Sequence, residues 1–500
     1  MTLSRRTLLG ALGTLPLIRL ARGETTHRLT ILHMNDFHSR HDPVDARAMS
    51  CAAGGKPGCF GGSARLASAT RAQRLAAERD GRTVLLLDGG DQFQGSLFFT
   101  KYAGMAELAV QHAIGTDAMA VGNHEFDRGP ATLAAYAAAA RFPLISSNID
   151  ASNEPALDGR IKDRVVLRRD GLAIGLVGLT TLETRTGSSP GPNVGFLEPG
   201  PALGQAVRRV RAEGAQFVVL LSHMGVLFDR AVGEAGVSLV IGGHSHTLLS
   251  DSEAGAFGPY AQANPAGALV VQAGAFGRYL GRLDLDLAAD GTVLAHGGDC
   301  VHVGLDLPED PAVAAIVARF AEPLEAFRGE VVAVLPDRLD VGGCRIAQCG
   351  IGQVVAAALL RSVHGADVAI MNAGGIRTGL PAGPVTRGQV LEALPFGNTV
   401  ATMQLAGDDL ATALKAGLAR IGGGGFPQWA GLRLAARGFE VQAGDGWAPL
   451  DPGRRYLVVT NNFLRNGGDG YTVFRDRAVD PYDAGPGLDD VVVDALSQRR

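Results

Sequence analysis

The stretch Gly122-Asn123-His124-Glu125-Phe126-Asp127 places an amide, an imidazole and two carboxylates directly after an apolar run, Ala118 to Val121. Short apolar runs that end in polar turns are typical of buried parallel strands. In sheets of such strands, ligands bind outside the carboxyl ends. We therefore expect the polar side chains of this stretch to face a functional site at the edge of a sheet.

Polar residues of the same kind follow four further apolar runs. These runs are Leu29 to Leu32, Val84 to Leu87, Phe217 to Leu221 and Val237 to Ile241. Any one of these short motifs alone is more typical of a strand-end turn than of a site. Together the five segments predict that metal ligands gather at one edge of one sheet. The predicted ligands are Asp36, His38, Asp91, Asn123, His223, His244 and His246.

The ligand types favour two divalent cations that share Asp91. A carboxylate can bridge two ions, imidazoles suit zinc, manganese, nickel or iron, and an amide oxygen such as that of Asn123 is rare in purely structural zinc sites. No thiolate belongs to the set, which argues against a zinc ribbon. Two ions about 3.5–4 Å apart can hold the attacking and the leaving oxygen of a displacement at phosphorus. We expect zinc or manganese.

His124 and Asp127 are the predicted catalytic pair. If the opening stretch turns into the start of a helix, Asp127 can accept the ring proton of His124 and direct the other ring nitrogen toward a substrate. A charged His124 would then stabilise the transferring phosphoryl group or protonate the leaving oxygen. The alternatives are that His124 is a further metal ligand or a surface histidine.

Length and charge predict two domains and no nucleic-acid partner. Five hundred residues exceed what a single core usually holds, and the net charge is −4. We predict a first domain over 24–307, a joining helix over 308–330 and a second domain over 331–500. No segment of these three predicts a membrane span, and the C-terminus lacks a lipid-anchor signal, so a soluble mature protein is expected.

The first 23 residues are predicted to be a twin-arginine signal peptide. Ser4-Arg5-Arg6-Thr7-Leu8-Leu9 matches the twin-arginine pattern, and the apolar stretch Leu8 to Ile18 is too short to cross a bilayer. Ala21-Arg22-Gly23 offers small residues for cleavage. The alternative is a chance Arg-Arg pair. We expect the twin-arginine export machinery to deliver the folded protein to the periplasm or the medium.

Five cysteines suit an oxidising compartment. Cys51 with Cys59, and Cys344 with Cys349, would each close a short loop, so local pairing is the simplest arrangement. Cys300 is then left over and is expected to be a buried thiol. A metal role is disfavoured because the cysteine spacing does not match zinc-binding pairs.

The second half supplies candidates for binding the rest of a substrate. Val368 to Met371 predicts a strand, and Asn372-Ala373-Gly374-Gly375-Ile376-Arg377 follows it with glycines and with an arginine that could grip phosphate oxygens. Arg345, between two cysteines, could be a second clamp, and a phosphate role for Arg40 is left open. Phe396 and Phe463 lie in glycine-containing segments and could stack on a base, which contributes about 1–3 kcal/mol.

The order of these motifs resembles the binuclear metallophosphoesterase superfamily. Asp88-Gly89-Gly90-Asp91-Gln92-Phe93-Gln94-Gly95-Ser96 and the opening stretch narrow the resemblance to the 5′-nucleotidase family. The resemblance implies an α/β fold, with an N-terminal four-layer α/β/β/α metallophosphoesterase sandwich and a smaller C-terminal α/β nucleotide-binding domain. It gives His124 and Asp127 the same catalytic roles. Both proposed disulfides have counterparts in the animal ecto-5′-nucleotidases.

The resemblance also implies how the ligands and the substrate residues are used. Phe396 and Phe463 would sandwich the base, and Asp469 would hold the ribose hydroxyls. The chain departs from the animal enzymes at His246, where they carry an amide, which puts the metal preference in doubt. One ion would be held by Asp36, His38, Asp91 and His246, and the other by Asp91, Asn123, His223 and His244.

The sequence therefore predicts a 5′-nucleotidase that hydrolyses nucleoside 5′-monophosphates such as AMP by a two-metal mechanism. A nucleotide-sugar or 2′,3′-cyclic-nucleotide hydrolase is the first alternative. A thiosulfohydrolase is a weaker one, because it would not need two base-stacking phenylalanines. A non-catalytic periplasmic nucleotide-binding protein would not need metals beside a His-Asp pair. Since metals and base-binding residues are expected on different domains, we expect hinge closure near Pro308 to Arg328. The sequence predicts no oligomeric state.

Overall fold

The computed structural model describes residues 18–19, 27–45, 51, 57–233, 236–436, 438–444, 446–483 and 485–498. The predicted signal peptide lies outside these residues, apart from Ile18–Arg19, which pair with the strand that contains Ala295 and His296. None of the helices in these described ranges combines the length and apolar character needed to cross a membrane.

The N-terminal half alternates strands with helices. Its strands are β1 (Ile18–Arg19), β2 (His27–Met34), β3 (Thr83–Asp88), β4 (Ala118–Ala120), β5 (Leu144–Ile145), β6 (Ile149–Asp150), β7 (Ile161–Lys162), β8 (Arg164–Arg169), β9 (Leu172–Thr180), β10 (Gly195–Phe196), β11 (Phe217–His223), β12 (Leu239–Gly242), β13 (Gln262–Ala263), β14 (Leu269–Val271), β15 (Tyr279–Leu287) and β16 (Val293–His302). Its helices are α1 (Ser63–Arg79), α2 (Leu97–Tyr102), α3 (Met105–Ile114), α4 (Gly129–Ala139), α5 (Thr184–Gly187), α6 (Pro199–Ala212), α7 (Val226–Ala231) and α8 (Pro311–Arg328).

These strands form two main sheets, with orders β1-β16-β15-β2-β3-β4-β5-β7 and β13-β14-β12-β11-β9-β8. The five predicted strands are all present and run parallel to their sequence-ordered neighbours within each sheet. Our expectation that they share one sheet was wrong: β2, β3 and β4 belong to the first sheet, and β11 and β12 to the second. An apolar run shows that a strand is buried, but it does not show which distant strand it pairs with.

Four layers result from how these two sheets are covered. Leu85 and Leu87 of β3 belong to the core that also contains Leu176 and Leu220 of the second sheet. The residue between them, Leu86, instead packs with helices α1 and α3 on the outer face of the first sheet. Helix α6 packs on the outer face of the second sheet, and buried residues of this helix belong to the same hydrophobic cluster as the strands. The predicted α/β/β/α sandwich is confirmed.

Helix α8 joins the two halves and packs on the first. Its N-cap Asp310 accepts hydrogen bonds from the backbone N–H groups of Ala312 (2.9 Å) and Val313 (3.1 Å), which satisfies two donors that the helix cannot pair itself. Val313 is buried among residues of α1 and α3, and Leu324 is buried beside α2. Helix α8 thus lies within the segment 308–330, and most of its length packs on the N-terminal layers.

The C-terminal half is a smaller α/β unit, as predicted. Its five-stranded sheet has the order β21-β18-β25-β20-β26, and hydrophobic cores lie on both faces. The strands are β17 (Val331–Leu335), β18 (Val368–Asn372), β19 (Gly383–Thr386), β20 (Val400–Ala406), β21 (Pro427–Ala430), β22 (Leu432–Ala435), β23 (Gly438–Ala443), β24 (Gly446–Pro449), β25 (Arg455–Asn461) and β26 (Val479–Tyr482). The helices are α9 (Gly350–Ser362), α10 (Arg387–Ala393), α11 (Gly407–Leu418), α12 (Asn462–Arg465), α13 (Thr472–Asp476) and α14 (Leu488–Ser497).

The cysteines are arranged as local pairing predicts. Disulfides join Cys51 to Cys59 and Cys344 to Cys349. Cys300 is a buried free thiol that lies beside the carbonyl of Leu249. Two disulfides in one chain fit an oxidising compartment.

Candidate metal and catalytic site

The seven predicted ligands lie together at the carboxyl ends of strands from both sheets. Asp36 and His38 follow β2, Asp91 follows β3 and Asn123 follows β4, all in the first sheet. In the second sheet, His223 ends β11, and His244 and His246 follow β12. The two facing sheets thus present their ligands to one shared edge.

One half of the ligand set surrounds His246. Its Nε2 lies 3.0 Å from Nε2 of His38 and 3.6 Å from Oδ1 of Asp36. Oδ2 of Asp91 lies 3.8 Å from Nε2 of His38. Asp36, His38 and His246 form a group whose ligand atoms all lie within 4.8 Å of one another, as the first predicted metal position requires.

The other half is connected through the same Asp91. Oδ2 of Asp91 lies 3.0 Å from Nε2 of His223, and Oδ1 of Asn123 lies 3.0 Å from Nδ1 of His244. Asp91, His223 and His244 form a second group with ligand atoms within 4.8 Å of one another. Asp91 therefore lies between the two groups, where a bridging carboxylate is expected.

The ring nitrogens identify which atoms are free to bind a cation. Nδ1–H of His223 donates to the carbonyl of Gly89 (2.7 Å), and Nδ1–H of His38 donates to the carbonyl of Phe93 (3.2 Å). In the neutral form of each ring, Nε2 therefore carries the lone pair; Nε2 of His223 is buried and faces Oδ2 of Asp91. Convergent lone pairs of this kind fit divalent cations.

Backbone strain is concentrated at the same residues. Five of the ligands have positive φ angles: Asp36 (50°), His38 (51°), Asp91 (58°), His244 (72°) and His246 (53°). Asp and His tolerate this region better than most residues, but it still costs energy. Glycine makes the close approach possible, because a Cβ on Gly122 would lie 2.1 Å from Oδ1 of Asp91.

His124 and Asp127 are in contact as predicted. The short 3₁₀ helix His124–Phe126 brings Nδ1 of His124 to 2.7 Å from Oδ2 of Asp127, whose Oδ1 accepts from the hydroxyl of Ser188 (2.9 Å). Burial disfavours the His124 cation, but the charges of Asp127 and Asp91 outweigh burial and raise the pKa of His124 to about 9. Cations bound at Asp91 would oppose that rise.

Glu125 is a site residue that the sequence reasoning quoted but gave no role. Its buried carboxylate accepts hydrogen bonds from the backbone N–H groups of Gly122 (2.7 Å), Asp91 (3.0 Å) and Gln92 (2.8 Å). Burial and the nearby charge of Asp91 raise the pKa of Glu125 to about 7. Its position between His124 and Asp127 is the sequence signal that could have identified it. Glu125 holds the turn that carries Asp91.

A cavity of about 410 Å³ opens beside the metal ligands and lies between the two domains. From the N-terminal domain, Arg40 and His124 line it together with Asp91 and three of the four ligand histidines, His38, His244 and His246. From the C-terminal domain, its lining residues are Phe396, Gly397, Asn398, Thr399, Asn462, Asn466 and Asp483. Asn398, Asn462 and Asn466 lie in the glycine-containing segments of Phe396 and Phe463, where substrate contacts were predicted, but the sequence reasoning gave them no individual role, and it missed Asp483.

The other predicted substrate residues lie elsewhere on the C-terminal domain. Nδ2 of Asn372 donates to Oδ2 of Asp469 (2.9 Å), and the ring of Phe463 is 45% exposed. Arg377 lies over the ring of Phe396 at 5.7 Å, and Arg345 is exposed. Among the described residues that line the metal cavity, Phe396 is the one predicted substrate residue of this domain. The structure therefore brings Phe396 to the metal ligands, whereas Phe463 and the other predicted substrate residues do not line their cavity.

Comparison with known proteins agrees with this architecture. A family profile described as "Calcineurin-like phosphoesterase" matches residues 29–248, and one described as "5'-nucleotidase, C-terminal domain" matches residues 330–476. The chain is 31% identical to the 5′-nucleotidase of Homo sapiens over 498 residues, which cover 90% of this chain and 85% of that protein. The solved 5′-nucleotidase precursor from Thermus thermophilus is 35% identical, with 94% and 96% of the two chains covered and a TM-score of 0.63.

A further relative is much longer. The chain is 31% identical over 505 residues to the trifunctional nucleotide phosphoesterase protein YfkN of Bacillus subtilis, covering 90% of this chain but 32% of that protein. The N-terminal fold and its ligand cluster define a calcineurin-like phosphoesterase. With its C-terminal domain and its full-length likeness to the human protein, the chain belongs to the 5′-nucleotidase family.

Replacing Asp91 by alanine should remove bound metal and activity together, because this carboxylate belongs to the predicted ligand sets of both ions. The number of ions per chain, measured by elemental analysis after dialysis, should fall from two, and phosphate release should be lost. Asp158→Ala, which removes an exposed carboxylate, is the control and should keep both. An Asp91→Ala protein with two ions and normal turnover would contradict the ligand assignment.

Proposed function

We propose that this protein is a 5′-nucleotidase that hydrolyses nucleoside 5′-monophosphates, such as AMP, to nucleoside and phosphate. The observation that carries the proposal is the convergence of seven ligand side chains beside the His124–Asp127 pair, at a cavity shared with the C-terminal domain. Family membership supports phosphoester hydrolysis. The choice of AMP as substrate rests on the predicted base-binding residues.

The ligands would hold two divalent ions, zinc or manganese, in the two groups that meet at Asp91. Such ions would polarise the phosphoryl group and lower the pKa of the attacking water. Asp127 holds Nδ1–H of His124, so that Nε2 of His124 is directed away from the dyad toward the cavity. Protonated at Nε2, His124 would donate a hydrogen bond to the phosphoryl oxygens or a proton to the leaving oxygen.

The C-terminal domain would bind the nucleoside and the distal phosphate oxygens. Arg345 and Arg377 are exposed and can form bidentate contacts with phosphate, while Asn372 and Asp469 form a hydrogen-bonded pair that can meet the ribose. Because these residues do not line the metal cavity, catalysis requires the domains to rearrange. Closure would bring the phosphate of a bound nucleotide to Asp91.

The strongest competing function is hydrolysis of other nucleotides at the same site. The name of the Bacillus relative describes a trifunctional nucleotide phosphoesterase, which favours a range of nucleotide substrates over a single one. Nucleotide sugars and 2′,3′-cyclic nucleotides remain candidates. A thiosulfohydrolase has no need for an exposed aromatic ring such as that of Phe463.

Chromatographic analysis of the products that the purified protein forms with added Zn²⁺ or Mn²⁺ tests the proposal, because several of the competing substrates can be hydrolysed without releasing phosphate. We expect the highest kcat/KM with AMP or another nucleoside 5′-monophosphate. Nucleoside diphosphates, a nucleotide sugar, 2′,3′-cyclic AMP and thiosulfate esters are the competing substrates. A higher kcat/KM with one of these would replace the proposed substrate class, and no turnover of any phosphoester would contradict the proposed function.

Replacing Phe463 by alanine should weaken the use of AMP, because stacking on a base contributes about 1–3 kcal/mol. We expect kcat/KM for AMP to fall by about 5- to 150-fold, the equivalent of that energy. Hydrolysis of a small aryl phosphate should change far less, because the metal ligands and His124 are intact.

Phe257→Ala is a matched control, since Phe257 is a similarly exposed phenylalanine, at 57%, in the N-terminal domain. It should change neither substrate. Equal losses of AMP and aryl phosphate hydrolysis in Phe463→Ala would show that Phe463 supports the fold of its domain and does not bind the base.

We also propose a periplasmic or secreted location reached by the twin-arginine route. Replacing Arg5 and Arg6 by lysine should leave the protein in the cytoplasm, because the export machinery reads the arginine pair. Cell fractionation followed by a phosphate-release assay measures this. The same change at Arg208 and Arg209, a second arginine pair in helix α6, should leave export intact. Unchanged periplasmic activity of the Arg5 and Arg6 variant would exclude the route.

A further inference from the structure

A sixth strand end contributes to the metal edge, and the ligand motifs do not include it. Strand β9 is fully buried and runs parallel to β11, with Thr180 in register with the metal ligand His223. The residues that follow, Thr181-Leu182-Glu183, therefore emerge at the same sheet edge as His223. Their carboxylate, Glu183, reaches the ring of His244, with Oε2 3.1 Å from Nε2.

The contacts of His244 indicate which ring nitrogen faces a metal. Nδ1 of His244 lies 3.0 Å from Oδ1 of Asn123, which is another predicted ligand of the second metal ion. Two ligand atoms with metal bonds of about 2.0–2.2 Å lie about 3 Å apart in one coordination sphere. Nδ1 of His244 is thus placed as the ligand atom, and Nε2–H is left to donate to Glu183.

We propose that Glu183 is a positioning residue for the second metal ion. Its carboxylate accepts Nε2–H of His244, which fixes the ring tautomer with the lone pair on Nδ1 and orients that lone pair toward Asn123 and Asp91. Ligand histidines commonly donate their other N–H to a carboxylate, which also makes the ring a stronger ligand. The inference rests on the proposed function, because it requires ions at these ligands.

The backbone around Glu183 is held firmly enough for this role. Thr181 N–H donates to the carbonyl of His223 (3.0 Å), so the turn is tied to another ligand. The N–H of Glu183 donates to the hydroxyl of Thr181 (3.3 Å), and the buried hydroxyl of Thr184 donates to the Thr181 carbonyl (2.7 Å). These bonds fix where the carboxylate starts, although the Glu183 side chain itself is 70% exposed.

A simple ion pair is the competing explanation. A doubly protonated His244 could pair with Glu183 at the protein surface, where such pairs contribute about 0–1 kcal/mol. In that case, removing Glu183 would change neither the affinity for metal nor its stoichiometry. A positioning role predicts a loss of metal affinity of about 10- to 100-fold at one ion, which is the usual effect of removing such a partner.

The experiment titrates the metal-free, full-length protein with Mn²⁺ and measures bound ions by equilibrium dialysis. The proteins compared are wild type, Glu183→Ala, Glu183→Gln and the control Glu198→Gln. Glu198 is an exposed glutamate that precedes helix α6 and makes no capping hydrogen bond with its side chain. The melting temperature of each metal-free protein is measured in parallel.

We expect Glu183→Ala to bind one Mn²⁺ normally and the other at least tenfold more weakly, with an unchanged melting temperature. Glu183→Gln should lose less affinity, because its amide oxygen still accepts the His244 proton. AMP hydrolysis by Glu183→Ala should be low at limiting Mn²⁺ and should recover in excess Mn²⁺. A residue that contacts the reacting atoms would not be rescued in this way. Glu198→Gln should match wild type.

Wild-type affinity for both ions in Glu183→Ala would overturn the inference. So would weaker binding accompanied by a lower melting temperature in both Glu183 variants, which would indicate a structural role. If Glu183→Ala does not fold, Glu183→Gln decides by the same criteria. A wild-type protein that holds no pair of ions would instead contradict the proposed function, so the two failures are distinguishable.

Discussion

The structure depends on bringing carboxylates and imidazoles from two sheets to one shared edge, where they face one another. Nε2 of His38 and Nε2 of His246 lie 3.0 Å apart, and the buried Asp91 carboxylate lies 3.0 Å from Nε2 of His223 and 3.8 Å from Nε2 of His38. Buried acceptors and carboxylates that face one another are costly unless a cation lies between them. The two sheets supply enough buried apolar surface to hold the ligands in place, and the ions would supply the attraction that makes the arrangement favourable.

The backbone around the ligands shows how that arrangement is maintained. Positive φ angles at non-glycine residues cost about 1–3 kcal/mol each, and they persist where the surroundings fix the backbone. Glu125 provides part of that support, because its carboxylate accepts hydrogen bonds from the backbone N–H of Asp91, after β3, and from that of Gly122, after β4. Gly122 allows the contact with Asp91 that any side chain would block. Local strain of this kind is typical of sites that hold ligands.

Much of the site could be predicted from the sequence, because each metal-ligand motif directly follows an apolar run that forms a buried strand. The apolar runs before Asp91 and His223 fixed both strands and the edge at which those ligands lie. The runs did not show that these strands belong to different sheets, since strand pairing depends on distant residues. Glu183 also follows a long apolar run, β9, but a lone glutamate after a strand has no characteristic spacing. Its partner, His244, became evident only from the distance between them.

The arrangement of the domains locates the joint between them at the end of helix α8. Most of α8 is packed on the N-terminal helices through Val313 and Leu324, so it moves with the metal ligands. Its last turn contacts the other domain: the Arg387 guanidinium lies 4.4 Å from the centre of the Phe327 ring, and Arg387 N–H donates to the carbonyl of Glu330 (2.9 Å). Because Leu324, which follows Pro323, still packs on helices of the N-terminal domain, we expect a rearrangement that carries Phe463 toward Asp91 to be absorbed after Arg328.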